Sequence, residues 1–259
     1  MDRRSFGEVC RVRSVSWGTM MIEYLYPHTV RTMARAGYDW LWIDNEHAHF
    51  SLERVQEAVR TAEDVGIATI LRVADSVYSL MARGLDLGVD GLLLPRVETP
   101  ETVRRIVDAA RFPPEGRRGF GIRPSVYGDW SISMKERIED QNNHRFLFIQ
   151  VESERGVENL EAMLEEAGGQ VDGVFFGASD YLLDIGQPDA FDSGELDEAA
   201  REVAELCEQF GIASGTLAFT VEDARRWLDR NYNLIAYGFD DAFMAQAAHA
   251  ARRALTALE

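Results

Sequence analysis

Short apolar runs recur along the chain, and polar stretches of helical period separate them. The runs are Trp17–Ile22, Trp40–Asp44, Thr69–Val73, Gly91–Val97, Phe146–Glu152, Gly173–Gly177, Ala213–Leu217 and Leu234–Gly238. Amphipathic stretches lie between them, among them Leu52–Asp64, Pro100–Ala110, Val157–Glu166, Glu195–Gln209 and Val221–Asp229. Strand-like runs alternating with 3.6-period segments predict a parallel sheet joined by right-handed helical crossovers. Roughly eight such units in one chain of this length predict an α/β fold, a (β/α)8 TIM barrel. No linker, repeat or low-complexity tract divides the chain, so residues 1–259 read as one domain. Asp241–Glu259 predicts an extra C-terminal helix rich in Ala and Arg. Arg111–Asn143, with Pro113, Pro114, Gly116, Gly119, Gly121 and Pro124, predicts an elaborate loop over the barrel mouth.

In such a barrel the C-terminal ends of the strands form the active face. Several runs close on an ionisable group there. Asp44, Glu46 and His47 follow the second run; Arg72 ends the third, Glu152 the fifth, and Asp180 follows the sixth. A single charge after a strand usually marks where the chain meets water, but four sets at one mouth form a chemical kit. Glu152 and Asp180 offer hard oxygen donors for a divalent cation, with positions left for water and substrate. Arg72 suits a carboxylate or a developing oxyanion. His47 suits proton transfer near neutral pH, with Asp44 expected to orient its ring. Glu46 is expected to hold structure by hydrogen bonding. His49, two residues beyond His47, reads as a loop residue. GRRGFG does not follow a strand, so it is a weak phosphate loop; Arg117 and Arg118 read equally as loop anchors or as ligands for a substrate carboxylate.

Composition narrows the chemistry. Of 27 basic residues only Lys135 is a lysine, and it lies in the polar stretch SMKERIEDQNN. A Schiff-base enzyme needs a lysine in a desolvated pocket, so imine chemistry is not expected. A metal, an arginine and a histidine base without that lysine make a kit for stabilising an enolate. The formal net charge of −17 argues against a nucleic-acid partner. No apolar run approaches the ~20 residues of a membrane helix, and MDRRSFGEVCRVRS lacks the apolar stretch of a signal peptide; the expected location is the cytoplasm, without a membrane partner. Cys10 and Cys207 read as free thiols.

The stretch AGYDWLWIDNEHAHFSLE resembles the D-x-E-H signature of the HpcH/HpaI aldolases, and LDLGVDGLLLPRVETPE, ARFPPEGRRGFG, QVES and VDGVFFGASDY agree in order. The similarity runs from about Gly18 to the C-terminal helix. It implies an aldehyde-lyase, a class II pyruvate aldolase acting on 4-hydroxy-2-oxo acids through a pyruvate enolate and an aldehyde. It implies catalytic His47 with Asp44, Arg72 on the pyruvyl group, and Glu152 and Asp180 on the metal. It also implies a carboxylate cradle at Gly177, Ala178 and Ser179, and a supporting role for Asp86 behind the same pocket; the alternative for Asp86 is capping of a helix–strand loop. Mg2+ or Mn2+ fits the oxygen ligands, and Co2+ is admitted by them. The family implies a homo-oligomer, a hexamer with C-terminal helices exchanged between subunits.

The chain departs from the family pattern around the aldehyde side. Gly-Ala-Ser-Asp stands where Gly-Pro-Ala-Asp is usual, Glu23 and Tyr24 follow strand one where small residues are common, Ile122-Arg123-Pro124 follows RRGFG, and Gly238-Phe239-Asp240-Asp241 follows strand eight. Two other readings stand beside the aldolase: a citrate-lyase-like lyase of CoA esters, and a non-catalytic barrel that binds an oxo acid.

Overall fold

The computed structural model describes residues 6–7, 9–10, 13–121 and 131–258. Eight parallel strands close into a barrel in the order β1-β2-β3-β4-β5-β6-β7-β8. They are β1 Ser16–Met21, β2 Trp40–Asp44, β3 Ala68–Arg72, β4 Gly91–Leu94, β5 Phe146–Val151, β6 Gly173–Phe176, β7 Ala213–Ala218 and β8 Leu234–Phe239. The expected TIM barrel is therefore present, and each expected strand falls within a few residues of its place. Helices surround it: α1 Pro27–Ala36, α2 Leu52–Val65, α3 Tyr78–Asp86, α4 Pro100–Ala110, α5 Met134–His144, α6 Glu154–Glu158, α7 Leu160–Ala167, α8 Ala178–Asp184, α9 Gly194–Gln209, α10 Val221–Asp229 and α11 Asp240–Thr256. No helix among the described residues is long and apolar enough to cross a membrane.

Strand alternation positions the chemistry. Successive side chains point to opposite faces of a strand. In β2, Trp40 and Trp42 face the barrel interior, so Asp44 does too; in β3, Ala68 and Ile70 carry Arg72 inward; in β5, Phe146 and Phe148 carry Gln150. Asp44 and Arg72 are paired in register across β2 and β3. The interior below them is filled with edge-to-face aromatics, including Trp40 and Trp42 against Phe175. Gly18 and Gly215 make room: a Cβ at Gly18 would lie 2.3 Å from the Trp40 ring, and one at Gly215 2.7 Å from Phe175. Phe6 closes the floor against Phe146 and Phe148.

Two expectations change. The helix expected over Val157–Glu166 is two helices, broken at Asn159, whose side-chain amide donates to the Glu98 carbonyl at 3.0 Å. The loop expected over the mouth contains helix α5, opened by a Ser133–Glu136 capping box. Its described part is tied to the barrel's flank: Gly119 N–H donates to the Tyr78 hydroxyl and Phe112 N–H to Asn142. Residues 122–130, including Ile122-Arg123-Pro124, lie outside the described residues. Lys135 is exposed and pairs with Glu139 at 3.7 Å, far from any desolvated pocket.

Candidate active site

A cavity of about 350 Å³ opens at the C-terminal mouth, lined by Asp44, His47, Arg72, Gln150, Gly177, Ala178, Ser179 and Asp180 among others. Of the residues that the strand ends nominate, Asp44, His47, Arg72 and Asp180 line this cavity, while Glu46 and Glu152 stand behind its wall, Glu46 against Arg72 and Glu152 against Gln150. Arg72 is its centre. Its Nε donates to Asp44 Oδ1 at 2.8 Å, and its Nη1 forms an ion pair with Glu46 Oε2 at 3.0 Å, without hydrogen-bond alignment. The guanidinium lies 4.9 Å over the Trp42 ring, which fixes its plane. Asp44 is fully buried, so this charge survives desolvation only through its partners.

Asp44 does not orient the His47 ring as expected. Its second duty is to the backbone: Oδ1 accepts from Glu46 N–H at 3.0 Å and Oδ2 from His47 N–H at 3.3 Å. The short polar turn after β2 folds back on the strand's last carboxylate, as an Asp at such a junction favours. The carboxylate beside the ring is Glu46, whose Oε2 lies 3.7 Å from His47 Nε2. Glu46 therefore faces both Arg72 and His47, a larger part than the structural one expected. His47 itself is 62% exposed, free to meet a substrate from the solvent side.

Glu152 is buried, held by Arg96 N–H at 2.9 Å and by the Gln150 side-chain amide. Burial raises its carboxyl from 4.5 to about 7; the neighbouring charges of Asp180 and Glu46 push the same way, against the Arg96 N–H. Asp180 sits in the first turn of α8, after the close approach of Gly177 to Glu152. Arg72 is engaged by Asp44 and Glu46, and no cationic side chain among the described residues pairs with Glu152 or Asp180. The donor set is thus two oxygen acids with surplus negative charge, one of them desolvated, which fits a hard cation. Among the described residues no group of three or more His, Cys, Asp and Glu converges on one point, so such a cation would complete its shell with water or substrate oxygens.

Asp86 is outside this cavity. As the last residue of α3 it pairs with Arg118 at 2.6 Å, and Arg118 lies 4.7 Å over Phe112. Asp86 therefore braces the PPEGRRGFG loop, and Arg118 anchors it; Arg117 is exposed beside Asp108 at 3.6 Å. His49 is exposed and does not line the cavity. Sequence reasoning missed Gln150, which joins Arg72 to Glu152, and its signal was the i, i+2 spacing to Glu152. It also missed Asp240, a buried carboxylate that accepts from the backbone N–H of Ile22, Glu23 and Tyr24, at 2.6 Å for Tyr24; this pins the β1–α1 loop to β8.

Comparison with known proteins gives the chain's family. The model of the HpcH/HpaI aldolase/citrate lyase family matches residues 20–247. The chain is 33% identical to a 2-keto-3-deoxy-L-rhamnonate aldolase of Klebsiella pneumoniae, over 83% of this chain and 79% of that one. It is 33% identical to a hydroxypyruvate/pyruvate aldolase of Delftia acidovorans, over 86% and 81%. The crystal structure of an HpcH/HpaI aldolase from Desulfitobacterium hafniense superposes with a TM-score of 0.88 at 25% identity, covering 98% of this chain and 95% of that one. A macrophomate synthase at 24% identity and a TM-score of 0.82 shares the fold, covering 98% of this chain and 89% of its own. The chain belongs to the HpcH/HpaI aldolase/citrate lyase family and is an enzyme of the lyase class.

Proposed function

We propose that the protein is a divalent-metal-dependent aldolase that forms or cleaves 4-hydroxy-2-oxo acids through a pyruvate enolate. The observation that carries this reading is a cavity lined by Arg72, Asp180 and His47 and, among the described residues, by no lysine, with buried Glu152 beside it, held by the lining residue Gln150 and facing the charge of Asp180. Glu152 and Asp180 would hold Mg2+ or Mn2+, with Co2+ also admitted, and the cation would supply Lewis acidity for the keto and carboxylate oxygens of the oxo acid. Arg72 has its Nε and one Nη engaged by acids and offers its remaining N–H to the developing enolate oxygen. Asp44 and Trp42 hold that guanidinium still, so little reorganisation accompanies the charge shift. In cleavage, His47 takes the proton of the C4 hydroxyl as the C3–C4 bond breaks; in addition, it returns a proton to the aldehyde oxygen. Glu46 faces the imidazole at 3.7 Å during these transfers. The backbone at Gly177, Ala178 and Ser179 opens α8 and suits the substrate carboxylate.

The lyase of CoA esters is disfavoured on one count. Among the described residues lining the cavity the only Arg or Lys is Arg72, already matched by two acids, which leaves no cationic side chain for CoA phosphates.

Metal binding is testable apart from turnover. With a carboxyl at about 7 when folded and 4.5 when unfolded, the metal-free fold keeps a proton that the unfolded chain has lost. Stability is therefore fully present below pH 4.5 and falls as pH rises through 7, by an amount on the order of a few kcal/mol from Glu152 alone. Added Mn2+ should raise the melting temperature more at pH 8 than at pH 6, and Glu152→Gln should abolish both the pH slope and the Mn2+ shift. A Mn2+ shift unchanged in Glu152→Gln contradicts this assignment.

Gly177→Ala is expected to act on the same group. The new Cβ would lie 2.6 Å from Glu152 Oε2 and 2.7 Å from Glu152 Cβ, so Glu152 must move. The expected outcome is a folded protein by circular dichroism with Mn2+ affinity lowered at least tenfold; wild-type affinity contradicts it.

The assembly proposed is a homo-oligomer, a hexamer with exchanged C-terminal helices. Helix α11 leaves the barrel with Asp240 as its buried residue, and Met244 and Leu255 on it are exposed, a cost that packing against another copy removes. Light scattering should give a mass several times the 29.2 kDa of one chain; a monomer refutes it.

A further inference from the structure

The wall of the cavity changes character around the ring of strands. Its polar arc comes from β2, β3 and β5, as Asp44, Arg72 and Gln150. The opposite arc comes from β6, β7 and β8 and the segments that follow them. Phe176, Leu217 and Phe239 line it at the strand ends, with Phe191, Phe219 and Trp227 around them. Strands β6, β7 and β8 are hydrogen-bonded neighbours, so this arc is continuous. Phe191 and Phe219 are 37% and 46% exposed at the cavity edge. Two aromatic rings left in water at the mouth of an active cavity are apolar surface that a ligand would cover.

The charges on this side are all acidic: besides Asp180 after β6, already assigned to the cation, they are Glu23 and Asp223. Glu23 is exposed at the end of the β1 strand, and Asp223 stands in the first turn of α10. The Asp223 carboxylate accepts from Phe219 N–H at 3.0 Å and lies 3.6 Å from Arg226. Thr216, the one hydroxyl among the β7 lining residues, already donates to the Phe176 carbonyl at 3.1 Å. Among the described lining residues this arc therefore has no Arg or Lys for an anionic acceptor; the Thr216 hydroxyl is committed to the backbone, and the other hydroxyl, Ser179, stands at the carboxylate cradle beside Asp180.

We infer that the acceptor is a neutral apolar aldehyde, aromatic or branched aliphatic, seated on this arc; the inference rests on the aldolase reading above. Carboxylated and phosphorylated aldehydes meet Glu23 and Asp223. Polyhydroxylated ones forfeit their hydration against aromatic rings without replacement hydrogen bonds. In the addition, a methyl proton leaves C3 of the oxo acid and C3 bonds to the aldehyde carbon. The carbonyl π pair moves to oxygen, which takes up a proton. All atoms of both reactants are retained, and no oxidant or reductant is needed. Phe219 and Phe191 set specificity by covering the acceptor's ring or branched chain.

The test uses the intact enzyme with Mn2+ and pyruvate, and two matched comparisons of kcat/KM: benzaldehyde against 4-carboxybenzaldehyde, and 3-methylbutanal against glyceraldehyde. The expected result is a preference of at least tenfold for the apolar member of each pair. Phe219→Ala is expected to lower the benzaldehyde-to-glyceraldehyde ratio about tenfold, mainly through KM for benzaldehyde, and Glu23→Arg to narrow the gap to 4-carboxybenzaldehyde. Both positions are exposed, so the variants fold. Preference for the charged or hydroxylated members, or a ratio unmoved in Phe219→Ala, overturns the inference. Deuterium exchange into pyruvate by the wild-type enzyme, measured without any aldehyde, separates the failures. Exchange with the wrong acceptor preference sinks this inference alone, whereas no exchange sinks the aldolase reading and this inference with it.

Discussion

Replacing Arg72 by alanine is expected to cost the enzyme both turnover and stability. In the proposed mechanism the guanidinium would meet the enolate oxygen, and removal of one such preorganised donor costs about 10²–10³ in kcat. Stability falls because Asp44 loses the partner at 2.8 Å that allows it to be a fully buried charge. Breaking a buried pair by removing one member costs about 3–5 kcal/mol, mostly through the charge left behind. Arg72→Lys should recover part of the stability and little of the rate, since an ammonium cannot reproduce the planar fork that engages Asp44, Glu46 and substrate together. Steady-state kinetics with urea unfolding on the same preparations separates the two effects. A loss under tenfold in kcat for Arg72→Ala would remove Arg72 from the chemistry.

His47→Ala is the second large effect, and it should be almost pure rate. The ring is 62% exposed, so its removal should change stability by no more than about 0.5 kcal/mol. Loss of a general acid–base group costs about 10²–10⁴ in kcat. Two acid variants then sort the neighbours. Glu46→Gln should lower kcat, because Glu46 is the carboxylate 3.7 Å from the imidazole. Asp44→Asn should act through Arg72 and the turn it caps, with a large loss of stability. If Asp44→Asn lowered kcat without loss of stability and Glu46→Gln changed nothing, the assignment of the two acids would be reversed.

Much of this arrangement is legible before any coordinates. Apolar runs that end in one ionisable group at Asp44, Arg72 and Glu152 are read from order alone, because a barrel strand delivers its last inward residue to the mouth. The same alternation carries Gln150 inward two residues before Glu152, yet an amide draws no attention in a search for acids and bases. The division of labour between Asp44 and Glu46 was hidden for another reason. Both lie in IDNEHAHF, and only the turn geometry decides which carboxylate caps backbone and which meets the ring. Arg96 donates its backbone N–H to Glu152 from a left-handed conformation, φ 55°; nothing in the type of an arginine announces that. Asp86 is open in another way: resemblance implies support from behind the pocket and its position at a helix end implies capping, while the contact it makes is an ion pair with Arg118.

The central claim is the enolate half-reaction, and it is tested most directly by following the pyruvate methyl signal in D2O by NMR. Wild-type enzyme with Mg2+ or Mn2+, wild-type enzyme with EDTA, and His47→Ala with metal are compared. Metal-dependent exchange that EDTA stops and His47→Ala slows by at least a hundredfold is the predicted result. No exchange from folded enzyme with either metal would contradict the account.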